Sequence, residues 1–246
     1  MATALLADQH YESNLIVGDE NDNMSSLNEE IAAIRSLKTH TDYGAVSLTE
    51  ADVDTDPFVE FASWLARAEA EEIYEPNAMV LSTIDPDGKP SSRTVLLRGI
   101  YPDGFEFFTD HESRKGRALL ANPNVSIVFP WYRQHRQVLV YGMATPTVAE
   151  VSDEYFQRRP HGAKIAATAS HQSQPIADRA ELEGRVRSLE AEYPEGTEVP
   201  RPTNWGGFRV MPERVEFWQG RTSRLHDRIR YTADATGAWV IDRLQP

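Results

Sequence analysis

Arginine and histidine gather in one stretch near the C-terminus of this 246-residue chain: Glu216-Phe217-Trp218-Gln219-Gly220-Arg221-Thr222-Ser223-Arg224-Leu225-His226-Asp227-Arg228-Ile229-Arg230-Tyr231. Its second half alternates as a strand does, and side chains two apart in a strand share a face. Read as one strand over Ser223–Tyr231, it sends Arg224, His226, Arg228 and Arg230 one way and Leu225, Asp227, Ile229 and Tyr231 the other. Cations this close repel one another unless an anion sits among them. Two readings follow. One is a solvated basic edge strand, guarded against edge pairing. The other is a site for a phosphorylated ligand, with His226 as a polar or proton-handling group.

Other segments pose the same choice. Ser113-Arg114-Lys115-Gly116 stands where a helix is expected to begin. Cations are mildly unfavourable there, and an arriving phosphate reverses the sign by taking free N–H groups, the Ser113 hydroxyl and both side chains. Along Arg93-Thr94-Val95-Leu96-Leu97-Arg98, alternation puts Arg93, Val95 and Leu97 on one face and Thr94, Leu96 and Arg98 on the other. An arginine among aliphatic side chains either snorkels from a strand end or holds an anion. Gln137, Gln172 and Ser173 can read the donors and acceptors of a planar heterocycle, or simply cap loops. Tyr155 and Arg159, four apart, share a helix face as a stabilising pair or as ligand contacts.

These residues must be positioned by a strand-rich chain. Asp56 caps and Pro57 opens a helix ending near 70–73, with Phe58, Phe61, Trp64 and Leu65 as its apolar stripe. Strands are expected at Ala78–Ile84, Ser92–Ile100, Phe105–Thr109, Val125–Trp131, Gln137–Thr147, Phe208–Trp218, Ser223–Tyr231 and Trp239–Leu244. Helices are expected near Ser113–Ala121, Val151–Arg158 and Ile176–Glu192, with Arg159-Pro160 marking a helix end. Strands punctuated by helices, without a βαβ alternation, favour an antiparallel barrel with helical additions. The chain has no G-x-G-x-x-G or Walker A loop, and its histidines lack metal-ligand spacing, so no metal is expected.

Composition narrows the function. The net charge of −13 is concentrated: residues 1–56 hold 12 acidic against two basic side chains, and the rest is nearly balanced. That argues against a nucleic-acid partner and permits a small anionic ligand. The chain lacks cysteine, a secretory signal pattern and any membrane-spanning run, so a cytoplasmic protein without a membrane partner is expected. Residues 1–25 read as a disordered acidic leader. Residues 26–55 read as a helix over Ser26–Lys38 and a loop, a candidate substrate lid, and 56–246 as the main domain.

Taken in order, several segments resemble the pyridoxamine 5′-phosphate oxidases. They are Glu75-Pro76-Asn77-Ala78-Met79, Arg93–Arg98, Ser113-Arg114-Lys115, Phe129-Pro130-Trp131, Arg136-Gln137-Val138, Arg159-Pro160, His171-Gln172-Ser173 and Trp205-Gly206-Gly207-Phe208-Arg209. Glu216–Gly220, Arg224-Leu225-His226-Asp227-Arg228 and the ending Arg243-Leu244-Gln245-Pro246 complete the set. The resemblance covers about residues 56–246. It implies a mainly β fold with added helices, an antiparallel FMN-binding split β-barrel, forming a homodimer with FMN at the interface. It implies that Arg93, Arg114 and Lys115 hold the FMN phosphate region. The rest of the segment Arg93–Arg98, Phe108, Thr109, Gln137, Gln172, Ser173, Trp218 and Arg228 would complete the flavin site. Arg98, Tyr155 and Arg159 would grip the substrate phosphate, and Arg224, Leu225 and His226 would meet the substrate ring, with Arg224 and His226 catalytic.

The implied reaction is oxidation of pyridoxamine or pyridoxine 5′-phosphate to pyridoxal 5′-phosphate, by hydride transfer from C4′ to flavin N5. O2 would reoxidise the flavin and yield H2O2. Arg98 stands where the family usually has lysine, and Ala163 where some members have a serine. Tyr43 could fill a lid tyrosine, with His40 in place of an arginine. These departures bear on the substrate more than on the flavin. The competing readings are a flavin oxidase of the phenazine-biosynthesis kind and a non-catalytic binder of flavin or pyridoxal phosphate.

Overall fold

The computed structural model describes residues 42–246. The acidic leader, the helix expected over Ser26–Lys38, and His40 lie outside the described residues. Helix α1 (Pro57–Ala70) opens as expected: Asp56 accepts a hydrogen bond from the Phe58 N–H at 2.8 Å, and Pro57 occupies the first turn. Its stripe of Phe58, Phe61 and Trp64 is buried against Phe105, Phe129, Trp131 and Phe217. Each such ring contributes on the order of 1.5–3 kcal/mol of burial, so α1 plugs the barrel.

The strands are β1 (Ala78–Ile84), β2 (Pro90–Leu96), β3 (Gly99–Tyr101), β4 (Gly104–Asp110), β5 (Asn124–Trp131) and β6 (Arg136–Pro146). After them come β7 (Trp205–Gln219), β8 (Asp227–Ala233) and β9 (Trp239–Arg243). All pairings are antiparallel, in the order β2-β1-β5-β6-β7-β4-β3. The 15-residue β7 divides the sheet. One edge follows β6 over Phe208–Gln219, while its other edge pairs β4 over Trp205–Val210 and β8 over Arg214–Gln219. A bulge at Tyr141/Gly142, opposite Pro212, lies between the two halves and bends the ladder there. The fold is thus the expected antiparallel half-barrel with helices added: α2 (Arg114–Ala121), α3 (Ala149–Arg158), α4 (His161–Ala169) and α5 (Arg179–Glu192). Among the described residues, no helix is long and apolar enough to cross a membrane, and no acidic or histidine group is placed to hold a metal ion.

Two expectations are corrected, and one helix was missed. The strand read over Ser92–Ile100 is two, β2 and β3, with Leu97-Arg98 between them. Arg159-Pro160 ends α3 as expected, but Pro160 at once caps α4, the helix the sequence reading missed. The strand read over Ser223–Tyr231 begins only at Asp227. Residues Thr222–Arg224 form a tight turn, with Ser223 and Arg224 at φ of 56° and 61°. Arg224 and His226 therefore do not share a strand face with Arg228 and Arg230. The last two also need no ligand for charge balance, because Glu216 pairs with Arg228 at 2.7 Å and Asp242 with Arg230 from neighbouring strands.

Candidate active site

The structure gathers the predicted residues into two groups. The first surrounds a cavity of about 250 Å³. Thr94, Val95, Leu96 and Arg98 reach it from the end of β2, Phe108 and Thr109 from β4, and Lys115 from α2. Tyr155 and Arg159 reach it from α3 and its end, and Gln172 from the loop after α4. Trp205, at the start of β7, is the remaining lining residue. The walls are aromatic: Phe108 stacks on Tyr155 at 4.0 Å and on Trp205 at 5.5 Å, with nearly parallel rings. Gly207, paired with Phe108 across the strands, lets Thr147 and the Phe108 ring pack close, since a β-carbon there would stand 2.5 Å from Thr147 Oγ1 and 2.9 Å from that ring.

Two half-buried cations in this cavity have no ion pair among the described residues. Lys115 donates to the neutral Gln172 Oε1 at 2.5 Å and Thr109 Oγ1 at 3.2 Å. Burial, with Arg93 nearby, pushes its ammonium down to about 8. Arg159 is lowered by burial as well, and its Nη1 is buried without a hydrogen-bond partner. Buried charge of this kind is costly until an anion arrives.

Arg93 and Arg114 stand behind Lys115 in a network around Asp85. Arg114 donates from Nε and Nη2 to Asp85 Oδ2 at 2.8 and 2.5 Å, and Ser91 donates to Asp85 Oδ1 at 2.8 Å. Arg93 donates to Ser91 Oγ at 2.6 Å and Thr83 Oγ1 at 2.8 Å. The N-cap of α2 is Ser113, whose hydroxyl accepts from the Gly116 N–H. Leu97 is buried in the barrel core, so its side chain does not reach the cavity. Ser173 is exposed in the turn after Gln172, at φ 69°.

The second group lies on the other wing. Gln137, Trp218 and Arg228 are cross-strand partners on β6, β7 and β8, forming one row across the sheet. The Trp218 ring lies 4.5 Å from His226, and Tyr43 packs 5.5 Å from His226 and 4.8 Å from His135. The close approach of Tyr43 requires glycine at 220, where a β-carbon would stand 2.8 Å from Tyr43 Cγ. His226 Nδ1 accepts the Arg221 backbone N–H at 3.1 Å, which leaves Nε2 as the position for its proton in the neutral ring. Burial, with Arg224 beside it, holds His226 below its ordinary range. Leu225 is exposed, and with His226 and the C-terminal Arg243–Pro246 it lines a second cavity of about 380 Å³.

One chain thus carries two half-sites, the first around one cavity and the second reaching another through Leu225 and His226. The first offers buried cations and aromatic walls, which suit a phosphorylated planar ligand. The second offers an indole, a neutral imidazole and an arginine. The sequence reading missed Trp205, Asp85 and His135 as site residues. Trp205 carried a signal, as an aromatic residue before a glycine pair, whereas Asp85 looked like an ordinary turn residue.

Residues 65–193 match the family model described as pyridoxamine 5′-phosphate oxidase, and residues 205–246 match the pyridoxine 5′-phosphate oxidase C-terminal dimerisation region. A pyridoxine/pyridoxamine 5′-phosphate oxidase of Streptomyces avermitilis is 49% identical over 208 residues, covering 83% of this chain and 93% of the relative. One from Bordetella petrii is 50% identical over 204 residues, covering 83% and 96%. The chain belongs to the pyridoxine/pyridoxamine 5′-phosphate oxidase family. Among solved structures, PhzG from Burkholderia lata 383, in complex with tetrahydrophenazine-1-carboxylic acid, superposes with a TM-score of 0.77. It is 33% identical, and the match covers 83% of this chain and all of that one. In the frame of the oxidase family, the first half-site falls mostly in the segment matched by residues 65–193. The second falls mainly in the dimerisation region.

Proposed function

We propose that this protein is a homodimeric, FMN-dependent oxidase that converts pyridoxamine and pyridoxine 5′-phosphates to pyridoxal 5′-phosphate. The observation that carries this reading is the first half-site. Its half-buried Lys115 and Arg159 face one aromatic-walled cavity and have no ion pair among the described residues. Two phosphate-bearing molecules, FMN and substrate, supply the missing anions. The naming of the relatives, at 49–50% identity over most of the chain, supports the same substrates.

In this reading Arg93, Arg114 and Lys115 hold the FMN phosphate, with Phe108, Thr109, Gln172 and Ser173 completing this side of the flavin site. Arg98, Tyr155 and Arg159 hold the substrate phosphate. Charge-assisted hydrogen bonds of this kind contribute roughly 1.5–3 kcal/mol each. The partner protomer supplies the second half-site: Gln137, Trp218 and Arg228 toward the flavin, and Arg224, Leu225 and His226 toward the substrate ring. When bound, FMN supplies the two-electron chemistry, with hydride acceptance from C4′ and O2 as final acceptor giving H2O2. The protein's part is orientation, exclusion of water, and hydrogen bonding at the substrate ring through His226 Nε2–H and Arg224. Tyr43, at the His226 ring, serves as the lid tyrosine over the substrate. The absence of cysteine fits a reducing, cytoplasmic setting.

Phenazine-type chemistry is the second reading, favoured by the likeness to PhzG. The test is turnover: oxygen uptake and pyridoxal 5′-phosphate formation with pyridoxamine and pyridoxine 5′-phosphates, beside a reduced phenazine carboxylate. Turnover of the phenazine alone would favour the second reading.

A further inference from the structure

Asp85 has no place in the roles assigned above, yet both arginines of the proposed flavin phosphate grip are organised around it. It is buried in the β1–β2 turn. Its N–H donates to the Lys89 carbonyl and its own carbonyl accepts from the Gly88 N–H, so its backbone is fixed. One carboxylate oxygen takes Arg114 through Nε and Nη2, and the other takes the Ser91 hydroxyl. Ser91 in turn accepts from Arg93 Nη2. The carboxyl is held below its ordinary range, first by Arg114 and then by Ser91.

Arg93, Arg114 and Lys115 bear on one another here: beside burial, the larger cause, Arg93 lowers Lys115 and Arg114 lowers Arg93. Asp85 offsets part of this charge and Asp110 bears on Lys115, and the three cations still outnumber the two carboxylates. The surplus suits a phosphate monoester, which is an anion of about −1.5 to −2 at neutral pH. A neutral residue at 85 would take the carboxylate from Arg114 and loosen the Ser91 end of Arg93, whose Nη1 keeps its bonds to Thr83 Oγ1 and the Leu81 carbonyl.

We propose that Asp85, with Ser91 as its relay to Arg93, is a positioning residue that pre-aims Arg93 and Arg114 at the terminal phosphate of the flavin cofactor. Through it the site selects phosphorylated over unphosphorylated flavin. The proposal rests on the FMN reading above and adds to it the source of phosphate discrimination.

The test is titration of flavin-free full-length protein with FMN and, separately, with riboflavin, which is FMN without its phosphate, following quenching of flavin fluorescence. Asp85→Asn keeps the size of the side chain and removes its charge. It is expected to weaken FMN by about tenfold or more, the scale of one charge-assisted hydrogen bond, while riboflavin affinity stays within about twofold. Ser91→Ala, which spares Arg114, is expected to show a smaller loss of the same selectivity and provides the reading if Asp85→Asn fails to fold. Equal weakening of FMN and riboflavin would reduce Asp85 to a structural residue and overturn the proposal. Unchanged or tightened FMN binding would overturn it too, the latter by showing that Asp85 competes with phosphate. Wild-type protein that binds FMN no better than riboflavin would overturn the underlying assignment of Arg93, Arg114 and Lys115 instead.

Discussion

The Arg159 guanidinium carbon lies 4.7 Å from the centroid of the Trp205 ring, while Arg159 Nη1 is buried with no hydrogen-bond partner. The indole face holds the cation in place without satisfying its donors. The corner between α3 and α4 sets this geometry, with Pro160 opening the second helix. A guanidinium oriented by a ring and short of an acceptor is ready for an oxyanion. Arg159→Met keeps the apolar stem and removes the donors. The KM for a phosphorylated substrate should rise by about 10–100-fold, with FMN still bound. Steady-state kinetics beside the flavin-to-protein absorbance ratio check this. Loss of flavin with unchanged KM would assign Arg159 to the cofactor.

Lys115 gives FMN binding a pH dependence. Phosphate is held by the ammonium form, and in the flavin-free protein that form titrates at about 8 because of burial and Arg93. Affinity should therefore be level near neutrality and fall as pH rises through about 8. Lys115→Met should bind FMN more weakly at pH 7, with that limb flattened. Titrations from pH 6.5 to 9.5 decide it. An unaltered limb in the variant would assign the titration to another group.

His226 sets a limb on the acid side. Burial and Arg224 hold its imidazole below the ordinary 6.5, so it is neutral at pH 7 and gains a proton only in more acid solution. If the neutral ring is the working form, activity should fall through a pH below 6.5. Arg224→Gln removes the neighbouring charge and should move that limb upward. It should also lower kcat/KM by about 100-fold with FMN retained, the scale of one strong charge-assisted hydrogen bond. A limb that stays in place would separate His226 from the observed titration.

Asp227 ties the N-terminal segment to the second half-site. Burial alone would raise its carboxyl, but the Leu48 N–H, Arg221 and Arg243 outweigh that and hold it low. A carboxylate with a lowered folded pKa stabilises the protein above its unfolded value, and this stability is lost as pH falls through the folded value. Asp227→Asn should therefore cost about 2–4 kcal/mol at pH 7, with the gap to wild type narrowing as pH falls below the ordinary carboxylate range. Urea melts at pH 7 and pH 3 measure both ends. A gap independent of pH would point to lost packing alone.

If the two half-sites meet across a dimer, defects in opposite halves complement. Inactive Lys115→Met and Arg224→Ala chains, mixed and re-associated, would form half hybrid dimers, each with one intact site. Activity should recover to about a quarter of wild type for random pairing. No recovery, with hybrids confirmed by mass, would place both half-sites of one centre in one chain.

The sequence was most legible where local signals and packing agree. Ala78–Ile84 emerges with its bounds unchanged, and Asp56-Pro57 starts α1 as expected. Arg98, Lys115 and Arg159, which line the first cavity, stood out in the sequence as cations at strand and helix ends, whereas Phe108 and Thr109 were named only through the family resemblance. The stretch from Ser223 to Tyr231 was misread for two physical reasons. Alternation cannot show that Ser223 and Arg224 adopt positive φ, which delays the strand to Asp227. Nor can a local run of cations show that Glu216 and Asp242, from other strands, already balance Arg228 and Arg230. Asp85 escaped notice likewise, since its partner Arg114 lies 29 positions away.

The central claim is that this site oxidises a B6 phosphate with FMN. Its most direct test is anaerobic addition of pyridoxamine 5′-phosphate to the FMN-loaded protein, with the visible flavin band followed by absorbance. Bleaching should follow, and admitting air should restore the band with pyridoxal 5′-phosphate formed in step. A band that stays unbleached with both pyridoxamine and pyridoxine 5′-phosphates would contradict the claim.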